Sequence, residues 1–165
     1  MSLTFSVVTL GCKTNQFESI SMEEKMAGAG YELVPFEEGA DLVIVNTCTV
    51  TAATDSQSRN LIRRSRRMNP DCRVIVTGCY AQVDPEAIRS IPGVSVVLGN
   101  DDKKDLVKYL EFEPAAPMVE VSDIQAVIDA VPHEINSFAE RSRALVQIQN
   151  GCNAYCSYCI IPYAR

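Results

Sequence analysis

Four short runs rich in Val, Ile and Leu govern what this chain can become: residues 4–10 (TFSVVTL), 41–47 (DLVIVNT), 73–78 (RVIVTG) and 94–99 (VSVVLG). Each is bounded by Gly, Asn or Asp. Continuous β-branched runs of this length suit parallel strands covered on both faces. A weaker strand over 31–34 precedes the second run. Longer amphipathic stretches lie between the runs, and strand–helix alternation implies right-handed crossovers. The expected fold is α/β: a flavodoxin-like, doubly wound parallel sheet of order 2-1-3-4-5.

Local signals place the helices. Asn15-Gln-Phe-Glu18 has the spacing of a capping box and would open a helix that stops at Gly28 or Gly30. A second helix runs from Thr54 or Asp55 to Met68, before Asn69-Pro70. Asp84-Pro85 puts proline in a first helical turn, a favoured position, and 102–110 closes the series. Beyond Leu110 come Pro114, Pro117 and Pro132 with no clear sheet pattern. Residues 1–112 therefore read as an N-terminal domain and 113–143 as a linker, with a short helix near 124–130. Residues 144–149 (ALVQIQ) look like one more strand, so 144–165 reads as the start of a second domain.

The strand assignment gives meaning to three distant cysteines. Cys12, Cys48 and Cys79 each follow a strand end: Leu10-Gly-Cys12, Asn46-Thr-Cys48 and Thr77-Gly-Cys79. In the order 2-1-3-4-5 those strands are neighbours about 4.8 Å apart, so the three thiols emerge together where open α/β sheets bind ligands. Buried thiols without a role are the plain alternative. Three thiolates with no fourth cysteine or histidine favour an iron–sulfur cluster with one open iron over structural zinc. Flavin is the rival occupant of this edge. Its phosphate finds no GxGxxG or GxxxxGK[ST] loop here. Cys72 precedes its strand, lies at the opposite edge and is a bystander.

Cys152-Asn-Ala-Tyr-Cys156-Ser-Tyr-Cys159 is a C-x₃-C-x₂-C array in which the spacing is itself the signal. Three thiolates within eight residues can hold three irons of a [4Fe–4S] cluster, and no further cysteine follows. The array, with Tyr158 just before the last cysteine, looks like the radical-SAM signature, in which the open iron takes S-adenosylmethionine. A zinc knuckle or free thiols are the alternatives.

Together, Thr9-Leu-Gly-Cys12-Lys-Thr-Asn-Gln16, Val45-Asn-Thr-Cys48-Thr-Val50, Thr77-Gly-Cys79-Tyr-Ala-Gln82 and the stretch Val146 to Cys159 resemble the methylthiotransferases. The resemblance covers essentially the whole chain. It implies two [4Fe–4S] clusters, an auxiliary one on Cys12, Cys48 and Cys79 and a radical-SAM one on Cys152, Cys156 and Cys159, with Tyr158 near S-adenosylmethionine. It further implies insertion of sulfur into an unactivated C–H bond, followed by methylation. Gly11-Cys-Lys-Thr-Asn15 is similar to the branch acting on N6-threonylcarbamoyladenosine beside the tRNA anticodon (the MtaB type). Branches acting on isopentenyladenosine or on a ribosomal-protein aspartate are the alternatives. Family members continue through a full barrel and usually an RNA-binding domain. This chain therefore reads as an N-terminal part that carries the first strand of a truncated radical-SAM barrel and does not catalyse alone.

Composition narrows the rest. Seven cysteines in 165 residues is about 4%, below the roughly 8–10% of a disulfide scaffold. No apolar run approaches the roughly 18 residues of a membrane span, and the first ten residues lack the features of a secretory signal. A reducing cytoplasm, no membrane partner and an external electron donor are the expectations. His133 is the only histidine, which argues against Cys/His zinc and histidine catalysis. Net charge is −6, yet Arg59, Arg63, Arg64, Arg66 and Arg67 crowd one expected helix. That patch suits RNA phosphate, with Arg63 and Arg66 as candidate tRNA contacts, although a solvated helix face explains it equally well. Asn15 and Asn46 lie beside the cysteine loops and read as caps or loop hydrogen-bonders. A flavodoxin-like electron carrier and a structural-zinc module remain the rivals.

Overall fold

The computed structural model describes residues 3–49, 51–111, 116–127, 133–136 and 144–165. Six strands form one parallel sheet: β1 (Thr4–Thr9), β2 (Glu32–Leu33), β3 (Leu42–Thr47), β4 (Arg73–Gly78), β5 (Val94–Leu98) and β6 (Met118–Glu120). Their order is β2-β1-β3-β4-β5-β6, so the first five stand in the expected doubly wound order. The central pairs run in register, from Leu42 opposite Arg73 to Thr47 opposite Gly78.

The β-branched runs are explained by helices on both faces. Val43, Val45, Val74, Val76 and Val97 point toward Ile62 of α2 (Ala52–Met68) and Ile88 of α4 (Pro85–Arg89). The alternate residues Leu42, Ile44, Ile75, Val96 and Leu98 meet Met22 and Met26 of α1 (Lys13–Gly28), and Leu106 of a 3₁₀ segment (Asp102–Tyr109). Both sides of each central strand are covered, so its apolar residues follow one another without alternation, up to the buried polar Asn46, Thr47 and Thr77 near the carboxyl edge.

Several elements differ from the sequence expectation. The expected capping box lies inside α1, because Gly11 turns with φ +92° and the extended Cys12 becomes the N-cap. Helix α2 also starts earlier, at Ala52, with a box between Thr51 and Thr54. Asp84 and Pro85 do start α4, the Asp84 side chain accepting from Ala87 N–H at 3.1 Å. Residues 102–109 wind as a 3₁₀ segment kinked at Asp105.

The stretch without a visible sheet pattern supplies β6, which pairs with β5 through Val96–Met118, Val97–Val119 and Leu98–Glu120. Three residues are too few to show a period. Of the short helix expected over 124–130, a 3₁₀ turn covers Ile124–Ala126, and 128–130 lie outside the described residues. The boundaries at 112 and 143 also fall outside them. The strand expected over 144–149 is not formed among the described residues. That segment has no ladder partner among the described residues, and Val146 and Ile148 are exposed. Among the described residues no helix is long and apolar enough to cross a membrane.

Candidate functional site

The sheet delivers the first three cysteines to its carboxyl edge. Cys48 directly follows β3, Cys79 directly follows β4 and opens the one-turn helix α3 (Cys79–Val83), and Cys12 caps α1 just beyond β1. Cys48 and Cys79 are buried, and Cys12 is exposed. Gly11 fits this crowding, since a Cβ there would stand 2.7 Å from Cys48 Sγ. Cys72 lies at the far end of β4, 1% exposed against the apolar core, and burial pushes its thiol pKa up.

Asn15 and Asn46 lace this edge together. Asn15 Nδ2 donates to Leu10 O at 2.7 Å and Thr47 O at 3.0 Å. Asn46 Nδ2 donates to Asn15 O at 3.0 Å and Ser19 Oγ at 3.1 Å. The cysteine loops after β1 and β3 are thereby tied to the first turns of α1.

Beside the thiols lies a buried charged group that no sequence signal marked. Glu18 and Lys103 are both fully buried, with Lys103 Nζ 2.5 Å from Glu18 Oε2 and 2.6 Å from Asn100 Oδ1. Arg165 reaches the same carboxylate, its Nη1 2.6 Å from Oε1 and its Nη2 3.0 Å from Oε2. Burial alone would raise the Glu18 pKa. Lys103's charge and Arg165's hydrogen bonds and charge outweigh it and hold it at about 2. Burial pulls the Lys103 ammonium below its ordinary value against the pull of Glu18. These residues lie 85 and 147 positions apart in sequence, so no local pattern announces them.

His133 is buried 3.9 Å from Glu18 Oε1, beyond hydrogen-bond length. Burial lowers its pKa to about 4, and Lys103, Lys25 and Arg165 add to this while Glu18 opposes it. Two acid steps follow. Between pH 6.5 and about 4 the unfolded chain takes up a proton at His133 that the folded one refuses, so stability falls as pH drops through this window. Between pH 4.5 and about 2 Glu18 adds a second loss of the same sign. Urea midpoints across pH 7.5 to 3 should show both, and His133→Gln should remove only the upper one.

The second cysteine set lies on the segment following residue 149. Cys152 and Cys156 are exposed and Cys159 is half-buried. Cys159 N–H donates to Cys156 O at 3.0 Å, and Tyr155 turns with φ +48°. Tyr158 is 90% exposed, whereas Tyr155 meets Tyr163 edge-on with centroids 5.8 Å apart. Cys152 lines a cavity of about 320 Å³ together with Tyr155, His133, Lys104, Asn100 and Arg165 among others. Asn100, in the wall of that cavity, joins Cys79 to the end of the second cysteine segment: its Nδ2 lies 3.8 Å from Cys79 Sγ and also donates to Ala164 O.

Among the described residues no three Cys, His, Asp or Glu side chains meet closely enough for a single metal ion. An all-sulfur donor set spread over three adjacent strands fits a polynuclear iron–sulfur cluster better than mononuclear zinc. On α2, Arg63 is exposed. Arg66 is partly buried and donates to Cys72 O at 2.9 Å, and a Cβ at Gly93 would collide with its side chain. Arg64 stacks on Phe36, and Arg59 donates to Tyr80 Oη at 2.8 Å.

A doubly wound parallel sheet with thiols at the carboxyl ends of three adjacent strands defines a sulfur-bearing α/β domain. The chain belongs to the Uncharacterized protein family UPF0004, whose family model matches residues 4–99. It is 43% identical over 98% of its length to the threonylcarbamoyladenosine tRNA methylthiotransferase MtaB of Bacillus subtilis, and 40% identical over 95% to the MtaB of Aquifex aeolicus. It is also 32% identical over 98% to a tRNA-2-methylthio-N(6)-dimethylallyladenosine synthase of Moorella thermoacetica. The chain spans 36%, 39% and 38% of the lengths of these relatives.

Proposed function

We propose that this chain is the N-terminal part of a radical-SAM tRNA methylthiotransferase acting on N6-threonylcarbamoyladenosine beside the anticodon. The observation that carries the reading is the delivery of Cys12, Cys48 and Cys79 to one sheet edge, with Cys152 lining a cavity whose wall residue Asn100 touches Cys79. The higher identity to MtaB relatives than to the dimethylallyladenosine synthase supports this branch. When bound, two [4Fe–4S] clusters and S-adenosylmethionine supply the sulfur and the radical.

The chain's own residues hold and arrange. Cys12, Cys48 and Cys79 would ligate the auxiliary cluster, and Cys152, Cys156 and Cys159 the second. Asn15 and Asn46 fix the loops that carry Cys12 and Cys48. Tyr158, exposed beside Cys159, is available to S-adenosylmethionine. Arg63 remains the better candidate for tRNA phosphate, because Arg66 spends its guanidinium on Cys72 O. The setting is cytoplasmic, with an external electron donor. The 165 residues alone are inactive, since a complete barrel has to close around S-adenosylmethionine.

The test compares two anticodon stem-loops, bearing N6-threonylcarbamoyladenosine or isopentenyladenosine, with reconstituted enzyme that includes a complete barrel. Nucleoside mass spectrometry should find a methylthio group on the first alone. Modification of the second alone would reject the branch, and turnover by the 165 residues alone would reject the division of labour.

A further inference from the structure

The chain folds back so that its last residue, Arg165, enters the carboxyl edge of the sheet. The Arg165 side chain is only 4% exposed and grips both oxygens of Glu18 in a two-pronged ion pair. The same guanidinium donates to Asn15 on α1 and, at 3.0 Å, to Asn150 Oδ1 at the start of the cysteine segment. Gly151, with φ +77°, packs against the Arg165 backbone so closely that a Cβ there would stand 2.6 Å from its carbonyl oxygen. Arg165 thus pins the two ends of segment 150–165 to each other and both to Glu18.

We propose that Arg165 is a positioning residue that latches the Cys152–Cys159 segment across the edge carrying Cys12, Cys48 and Cys79. The latch deepens the functional reading above, which gives the two cysteine sets their purpose; the contacts of Arg165 with Glu18 and Asn15 stand independently of that reading. Two features make it a latch and not a core strut. Glu18 keeps a buried partner, Lys103, when Arg165 leaves, so the sheet retains its charge balance. The segment makes no strand pairing with the sheet, so side chains such as Arg165 and Asn100 hold it there. Arginine suits the task because one planar fork satisfies carboxylate and amide acceptors together, which a lysine ammonium does not reproduce.

Hydrogen exchange on the 165-residue chain tests this without any cluster bound. Arg165→Ala should speed exchange of the Cys159 and Tyr163 amides roughly tenfold to a hundredfold, as expected for loss of charge-assisted hydrogen bonds. The amides of β3 and β4 should keep their rates, which also shows that the variant folds. Arg165→Lys should fall between the two. Unchanged exchange at Cys159 and Tyr163 would overturn the proposal. So would acceleration spread equally over β3 and β4, which marks a general structural role, or a lysine variant as loose as the alanine one. Iron and sulfide counted on the same samples report separately on the functional reading, so the two can fail independently.

Discussion

Replacing Glu18 by alanine is expected to destabilise the chain by about 3–5 kcal/mol, the cost of stranding a buried charge. Lys103 is fully buried and would keep only Asn100 Oδ1 as an acceptor, with the Arg165 guanidinium now uncompensated nearby. Against a typical total of about 5–15 kcal/mol, such a loss leaves a substantially unfolded population. The denaturant midpoint measures it. Because the pair is out of solvent, salt should change the loss little. A further variant separates the causes: Glu18→Leu combined with Lys103→Met and Arg165→Met, which removes all three charges of the cluster, should recover most of the stability, since buried ion pairs are no better than well-packed apolar groups. A loss below about 1 kcal/mol in Glu18→Ala would contradict the burial described here.

Gly78→Ala is the second large effect. Gly78 turns with φ +96°, and an added Cβ would stand 2.5 Å from Thr47 N and 2.7 Å from Asn46 Oδ1, and overlap Thr47 O. Two of these atoms are backbone of β3, which is held in register with β4 and cannot yield. Left-handed strain of about 1–3 kcal/mol and overpacking of a similar size combine. Gly28→Ala is the control: nothing lies within 4 Å of its would-be Cβ at the end of α1, and it should be neutral or stabilise by up to about 1 kcal/mol. Equal midpoints for the two variants would remove the claim that the β4–α3 turn is sterically fixed beside Cys79.

The parts legible in the sequence are those set by burial on both sides. β1, β3, β4 and β5 stood out because every residue of a central parallel strand faces a helix. Their order then carried Cys12, Cys48 and Cys79 to one edge. The illegible parts depend on contacts between distant residues. Asn15 and Glu18 have capping-box spacing, but the glycine turn at Gly11 starts α1 sooner and carries both inward, where they serve the edge. Lys103 and Arg165 look like surface charges until the chain folds them onto Glu18. β6 is too short to show a period, and residues 144–149 have the composition of a strand without a neighbour to pair with. Arg66 belongs by sequence to a basic run but spends itself on Cys72.

Anaerobic reconstitution of this chain, followed by iron, acid-labile sulfide and zinc analysis, tests the central claim most directly. Two [4Fe–4S] sets predict about eight iron and eight sulfide per chain. Joint substitution of Cys48 and Cys79 by alanine should remove about half, and joint substitution of Cys152 and Cys156 the other half. Stoichiometric zinc without sulfide, bound flavin, or iron that survives the loss of both sets would contradict it.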